Sequence, residues 1–266
     1  FKFNKKIQMQ YTMPITQRLK KLIKSLHQKQ FRDQNGLFIA EGENLAFELV
    51  KSDYVAELIV IKDSPSSDVI EVVNKYADKG VPVYTAPKHQ FDQICDTKSP
   101  QSILIVINIR EHTLDPTVPF VALDGIADPG NVGTIIRTAD WFGFKQVILG
   151  RDCADCFNPK TVRATMGSIF RMNVVTETDL AEIFTSEYKK FNIYGASVHA
   201  EKAITSFKPK KNFGLVFGNE SGGISADVEK QLTQQFKIDG SDSAESLNVA
   251  VAAGISLYHF SRNLEV

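Results

Sequence analysis

Phe120-Val121-Ala122-Leu123-Asp124-Gly125-Ile126-Ala127-Asp128-Pro129-Gly130-Asn131-Val132-Gly133-Thr134-Ile135-Ile136-Arg137 decides the fold. Its first four residues read as a buried strand. Gly and Pro then punctuate a turn, and apolar residues resume at helical spacing over 132–142. The same order recurs downstream, with strands over 146–149, 172–175, 193–197, 213–217 and 236–238 and helices over 159–170, 179–189, 226–234 and 247–261. Such alternation builds an α/β layer fold around a mostly parallel sheet covered on both faces. Sheets of this kind take ligands at the carboxyl ends of their strands.

Working upstream, residues 110–119 carry charge, Thr, Pro116 and Pro119 without periodicity and read as a linker, with the boundary near residue 115. Before it lies a smaller α/β unit. Thr16 is placed as the N-cap of an amphipathic helix bearing Leu19, Leu22, Ile23 and Leu26. After Asn35-Gly36 come strands over 37–40, 57–61, 81–85 and 103–107, interleaved with helices over 43–50, 68–77 and 88–94. Two domains follow, 13–110 and 116–266, in keeping with a length of 266 residues.

Composition narrows the function classes. The chain is 43% apolar and 23% charged, with 16 Gly and 10 Pro, which excludes collagen-like, disordered and disulfide-scaffold proteins. The longest apolar runs, 103–107 and 249–257, are far short of the roughly 20 residues that span a bilayer. Three cysteines point to a reducing compartment, and the cytoplasm is the expected location. Cys153 and Cys156 form a CxxC, but no second CxxC or His pair completes a zinc set, so no metal is expected.

Basic and acidic residues balance at 31 each, yet nine basic and no acidic residues fall within 1–32. Arg18, Lys20, Lys21, Lys24 and Arg32 are the candidate RNA-binding residues of this positive arm, whose alternative reading is a solvated helix face. Residues 1–12 are polar and basic, lack the apolar core of a signal peptide and precede Met13-Pro14, so they are expected to be dispensable.

Three turns of the second unit put Gly, Asn, Ser or Glu directly after apolar strands: 124–137, 218–225 and 238–248. Gly130-Asn131-Val132-Gly133 lacks the Lys-Ser/Thr of a P-loop, and Ser221 lacks the preceding glycine of a nucleophile elbow. Nucleotide hydrolysis and acyl transfer lose support. Taken together, 128–139, 215–224 and 246–253 resemble the three ordered motifs of the SpoU/TrmH RNA ribose 2′-O-methyltransferases of the SPOUT superfamily. The first unit, with Arg32 followed by Leu37-Phe38-Ile39-Ala40-Glu41-Gly42, resembles the ribosomal-protein-like substrate-binding domain found before such catalytic domains.

The resemblance implies a carboxyl-terminal trefoil-knotted domain, a homodimer formed through it, and S-adenosylmethionine as methyl donor. Gly218, Ile238 and Leu247 become its backbone contacts. Glycine at 218 suits either close approach of a ligand or a tight turn with positive φ. Asn131, Arg137, Glu220, Ser246 and Asn248 become the catalytic set, with Asn131 and Arg137 expected to face one crevice. Arg137 acts either as the base on the ribose hydroxyl or as an anchor for the adjacent phosphate; its alternative is an ion pair with Glu220. Ser246 also sits where a helix N-cap belongs. The chain departs from the family pattern at 239–245, which is more acidic and polar than usual, and has Asn219 where Ala or Ser is frequent.

An RNA 2′-O-ribose methyltransferase acting on ribosomal RNA is the leading expectation. The alternatives are a transfer-RNA substrate and a non-catalytic RNA-binding ribosome-assembly factor.

Overall fold

A computed structural model describes residues 12–208, 211–241, 246–262 and 264. Residues 1–11, with Lys2, Lys5 and Lys6 of the basic arm, lie outside them, as do 242–245 of the acidic loop. The described chain divides into two compact units, 1–110 with 157–170, and 111–156 with 171–266.

The first unit holds a five-stranded sheet built from β1 (Thr12–Pro14), β2 (Leu37–Glu41), β3 (Ala56–Lys62), β4 (Val83–Ala86) and β5 (Ile103–Asn108), in the order β1-β4-β3-β5-β2. β1 and β3 run parallel to β4, whereas β5 runs antiparallel to both β3 and β2. α1 (Gln17–Ser25) starts where expected, with the Thr16 hydroxyl accepting from the Leu19 amide at 3.3 Å. Ile23 and Leu26 from this region are buried with Leu58, Val60, Leu104 and Val106 of the sheet. α2 (Lys29–Asn35) ends at Gly36, whose φ of 63° lets the chain turn into β2. α3 (Glu43–Leu49), α4 (Ser67–Ala77) and α5 (Lys88–Asp92) complete the chain-order elements up to the linker.

Six strands form the second sheet: β6 (Phe120–Asp124), β7 (Gln146–Gly150), β8 (Asn173–Thr178), β9 (Asn192–Ala196), β10 (Phe213–Gly218) and β11 (Gln234–Phe236). Their order is β11-β9-β10-β6-β7-β8, and every pairing is parallel. β6, β7 and β10 are buried almost throughout, so they carry unbroken apolar runs rather than an alternation. α6 (Pro129–Trp141) and α10 (Val249–Ser261) pack side by side. A Cβ at Gly254 of α10 would meet Thr138 of α6 at 3.8 Å, and the rings of Phe142 and Tyr258 lie 5.9 Å apart. α8 (Leu180–Thr185) and α9 (Ala226–Glu229) are shorter than the sequence pattern suggested.

The helix expected over 159–170 of the second domain differs in length, and the segment 157–170 that contains it differs in place. It packs with the first unit, and α7 (Pro159–Thr165) stops at Met166, φ 50°, and Gly167, φ 97°. Inside the first unit Arg163 donates to Asp96 at 2.7 Å and lies 3.8 Å from the buried Glu41 carboxylate. A Cβ at Gly167 would run into the Glu48 side chain at 2.5 Å. The Arg163 contacts to Asp96 and Glu41 hold the segment in the first unit, and the left-handed backbone at Met166 and Gly167 ends the helix.

Candidate active site

The three marked turns leave the carboxyl edge of the parallel sheet. Gly218 at the end of β10 pairs in register with Asp124 at the end of β6. From Asp124 the chain turns through Gly125, φ 69°, and reaches Asp128, whose carboxylate accepts from the Asn131 amide at 2.9 Å as the N-cap of α6. Pro129 fits the first turn, where no amide hydrogen is needed. Asn131 is thereby fixed at the helix entrance.

Its side chain joins all three turns. Asn131 Nδ2 donates to Glu220 Oε1 at 2.6 Å, and Asn131 Oδ1 accepts from Asn248 Nδ2 at 3.2 Å. Asn248 Oδ1 in turn accepts from the Ala250 and Val251 amides at 2.9 and 3.3 Å. Backbone amides only donate, so they set the orientation of the Asn248 amide, which sets that of Asn131, which leaves a donor facing the Glu220 carboxylate.

Asn248, not Ser246, is therefore the N-cap of α10, and the helix begins at Val249 rather than Leu247. Oδ1 of Asn248 reaches two free amides of the first turn; Ser246 stands two residues earlier, exposed and hydrogen-bonded to no described residue. Arg137 is also exposed and has no hydrogen bond or ion pair with any described residue. The alternative pairing of Arg137 with Glu220 is not formed; Asn131 meets that carboxylate instead. Six residues along a helix amount to about 600°, so Arg137 leaves α6 on a different face from Asn131.

Gly218 needs no left-handed backbone. A Cβ there would collide with the backbone of Gly223 and Ile224, because the turn folds back on its own strand end. Asn219 and Gly223 close that turn with two backbone hydrogen bonds of 2.9 and 2.8 Å. The glycine is thus required by the turn before any ligand arrives.

β9 lies between β10 and β11, so the turn after β9 shares this edge with Gly218 and with Ile238 beyond β11. The Ser197 amide donates to Phe236 O at 2.9 Å. Sequence reading passed over 197–200 because Ser197-Val198-His199-Ala200 lacks the Gly, Asn and Glu cluster of the other turns. Val198 is 58% exposed and Leu247 48% exposed, while Ile238 is half-buried. Uncovered apolar side chains of this kind at a strand edge suit the enclosure of a purine.

Burial pushes the Cys153 thiol up to about 11 and the Cys95 thiol further in the same direction, so both stay protonated at neutral pH. Cys153 Sγ donates to Leu123 O at 3.0 Å, which is a packing role behind β6. Among the described residues no cluster of three or more His, Cys, Asp or Glu side chains is arranged to hold a metal ion.

In the first unit, Arg18, Lys21 and Lys24 are exposed along α1. Lys20 is half-buried and donates to Gln90 Oε1 at 3.2 Å. Arg32 departs from the expectation of RNA contact: it is 2% exposed and donates to Leu26 O at 2.8 Å, holding the end of α1 to α2. A guanidinium in that place cannot reach a phosphate. In the second unit, Trp141 on α6 is 83% exposed, and Val251, Ile255 and Tyr258 form an exposed stripe on the neighbouring α10. Among the described residues no helix is long and apolar enough to cross a membrane.

Comparison with known proteins agrees across both units. Residues 119–258 match the family model described as SpoU rRNA Methylase family, and residues 17–105 match the MRM3-like substrate binding domain. The chain is 32% identical to the 23S rRNA (guanosine(2553)-2'-O)-methyltransferase RlmP of Bacillus subtilis (strain 168), over 89% of this chain and 93% of that protein. It is 27% identical to the 23S rRNA (guanosine-2'-O-)-methyltransferase RlmB of Photobacterium profundum, over 79% of this chain and 90% of that protein. Among solved structures, an AdoMet-bound rRNA methyltransferase from Sinorhizobium meliloti superposes with a TM-score of 0.86 at 28% identity, covering 96% of this chain and 100% of that chain.

Proposed function

Because the chain belongs to the SpoU rRNA methylase family, we propose that it transfers the methyl group of S-adenosylmethionine to a ribose 2′-hydroxyl of ribosomal RNA. The observation that carries this reading is the side-chain relay Glu220–Asn131–Asn248, which gathers all three motif turns at one edge of a parallel sheet. The names of the RlmP and RlmB relatives support the choice of ribosomal RNA and of the 2′-oxygen.

S-adenosylmethionine supplies an electrophilic methyl group on a sulfonium centre and needs no metal. Gly218, Ile238 and Leu247, with Val198 beside them, would hold it through backbone groups and apolar cover. The ribose hydroxyl would give up its proton to solvent, and the negative charge left on oxygen would be consumed as that oxygen takes the methyl group and S-adenosylhomocysteine departs with the S–CH3 electron pair. Asn131, Ser246 and Asn248 offer short neutral groups that orient the hydroxyl, and Glu220 keeps Asn131 in place. Arg137, free of other partners among the described residues, would anchor the phosphate beside that hydroxyl from its own face of α6.

The assembly is a homodimer through the second unit. Trp141, Val251, Ile255 and Tyr258 form an exposed apolar face on neighbouring helices, and a second copy would cover it. The chain division follows: a substrate-binding domain over 13–110, which 157–170 joins, and a methyltransferase domain over 116–266 whose carboxyl-terminal part carries the family's trefoil knot. Arg18, Lys21 and Lys24 make the RNA-facing stripe of the first domain. Three free cysteines support a cytoplasmic location.

Mapping 2′-O-methyl sites in RNA from cells with and without the gene tests the whole reading. Loss of one methylated ribose in ribosomal RNA is expected. Loss confined to transfer RNA would overturn the substrate, and an unchanged methylation map would overturn the activity.

A further inference from the structure

We propose that Asn219 is a positioning residue, whose side-chain amide holds the Gly218–Gly223 turn against the end of β6 and so places Glu220 for methyl transfer. This rests on the function proposed above. Four polar contacts converge here. Asn219 Nδ2 donates to Gly125 O at 2.7 Å, and Asn219 Oδ1 accepts from the Ser221 and Gly222 amides at 2.9 and 3.2 Å. On the other flank of the same turn the Ser225 amide donates to Asp124 Oδ2 at 2.6 Å.

The amide orientation has no alternative. Ser221 and Gly222 present only N–H groups and Gly125 presents only a carbonyl, so the oxygen must face the turn and the nitrogen must face β6. One half of the side chain shapes the turn, as an Asx turn does, and the other half anchors it across 94 residues of chain. Glu220 lies between the two amides that Asn219 holds and the strand end that carries Gly218. Its carboxylate reaches Asn131 only if the turn keeps this setting. Alanine at this position supplies neither half, serine a weaker version of the first, and a carboxylate the first half alone.

That asymmetry gives a test with a readout that general destabilisation does not move. In Asn219→Asp the acceptor half remains, but at neutral pH a carboxylate oxygen faces the Gly125 carbonyl. Protonation restores an O–H donor. Nearby Asp124, Asp128 and Glu220 are engaged by the Ser225 amide, the Asn131 amide and the Asn131 side chain, and their charge raises the affinity of the introduced acid for a proton. Full-length wild type, Asn219→Ala and Asn219→Asp are assayed for transfer of radiolabelled methyl from S-adenosylmethionine to unmodified large-subunit ribosomal RNA, from about pH 8 to about pH 5.5.

At neutral pH both variants are expected to lose about tenfold or more in kcat, with KM for RNA changed by less than about twofold. Relative to wild type at each pH, Asn219→Asp is expected to recover on acidification and Asn219→Ala to stay low. Equal activity of all three proteins, or an Asn219→Asp deficit that does not depend on pH, overturns the positioning role. A wild-type protein that neither binds S-adenosylmethionine nor transfers its methyl group overturns the proposed function instead. Amide hydrogen exchange of 219–225 separates the cases without any activity: faster exchange in Asn219→Ala supports the anchoring, and unchanged exchange overturns it.

Discussion

Asn131 gives its side-chain N–H to the Glu220 carboxylate at 2.6 Å across 89 residues of chain, and this bond ties the entrance of α6 to the turn after β10. Replacing the amide by an isosteric carboxylate turns attraction into repulsion. Asn131→Asp is therefore expected to lower kcat by about tenfold to a hundredfold, the scale of one hydrogen bond to a charged group, while S-adenosylmethionine affinity stays within about threefold. Glu220→Gln in the same chain removes the repulsion. Steady-state kinetics on the double variant should show recovery over Asn131→Asp alone; a purely additive loss would separate the two residues.

Arg137 has no partner among the described residues, so removing it breaks nothing in the fold. Arg137→Ala is expected to leave the melting temperature and donor affinity nearly unchanged while kcat falls by about a hundredfold. Arg137→Lys keeps the charge but loses the planar fork, and intermediate activity is expected. Calorimetric titration with S-adenosylmethionine alongside turnover checks both. Retention of most activity in Arg137→Ala removes it from the mechanism.

Two parts of the basic arm now predict opposite outcomes. Arg32 is buried with its guanidinium on Leu26 O, so Arg32→Leu is expected to destabilise the first unit by about 2–4 kcal/mol, seen in denaturant unfolding. Arg18, Lys21 and Lys24 stand in water. Their joint reversal to Glu should leave unfolding unchanged, weaken RNA binding, and make the dependence of log K on log salt shallower by about two to three. A salt dependence unaltered by that reversal would place the RNA elsewhere.

How much was legible in the sequence follows from these residues. The strand and helix order was readable because buried parallel strands such as 120–124 carry unbroken apolar runs, and the three motif turns were readable because Gly, Asn and Glu cluster after them. Arg32 was misread because charge counting along a chain does not see burial. Asn248 took the cap expected of Ser246 because either residue type fits an N-cap, and only the backbone decides which stands at the right φ and ψ. The helix over 159–170 stops at the left-handed Met166 and Gly167, where the chain passes close to Glu48, a side chain that no local window contains. The turn at 197–200 escaped because its place beside Gly218 and Ile238 comes from strand order alone.

Trp141 tests the assembly. It is 83% exposed on α6, beside the exposed stripe of Val251, Ile255 and Tyr258 on α10, and helix spacing puts Arg137 one turn before it on the same face. A charge introduced there faces water in a monomer and apolar surface in a dimer. Trp141→Glu is therefore expected to leave the monomer fold intact, as circular dichroism reports, and to shift the protein from dimer to monomer in sedimentation. A second copy seated on the proposed dimer face would lie against Arg137, so the monomer should also lose turnover more than donor affinity. A wild-type protein that sediments as a monomer, or a Trp141→Glu variant that stays dimeric, would assign that apolar face to a different partner.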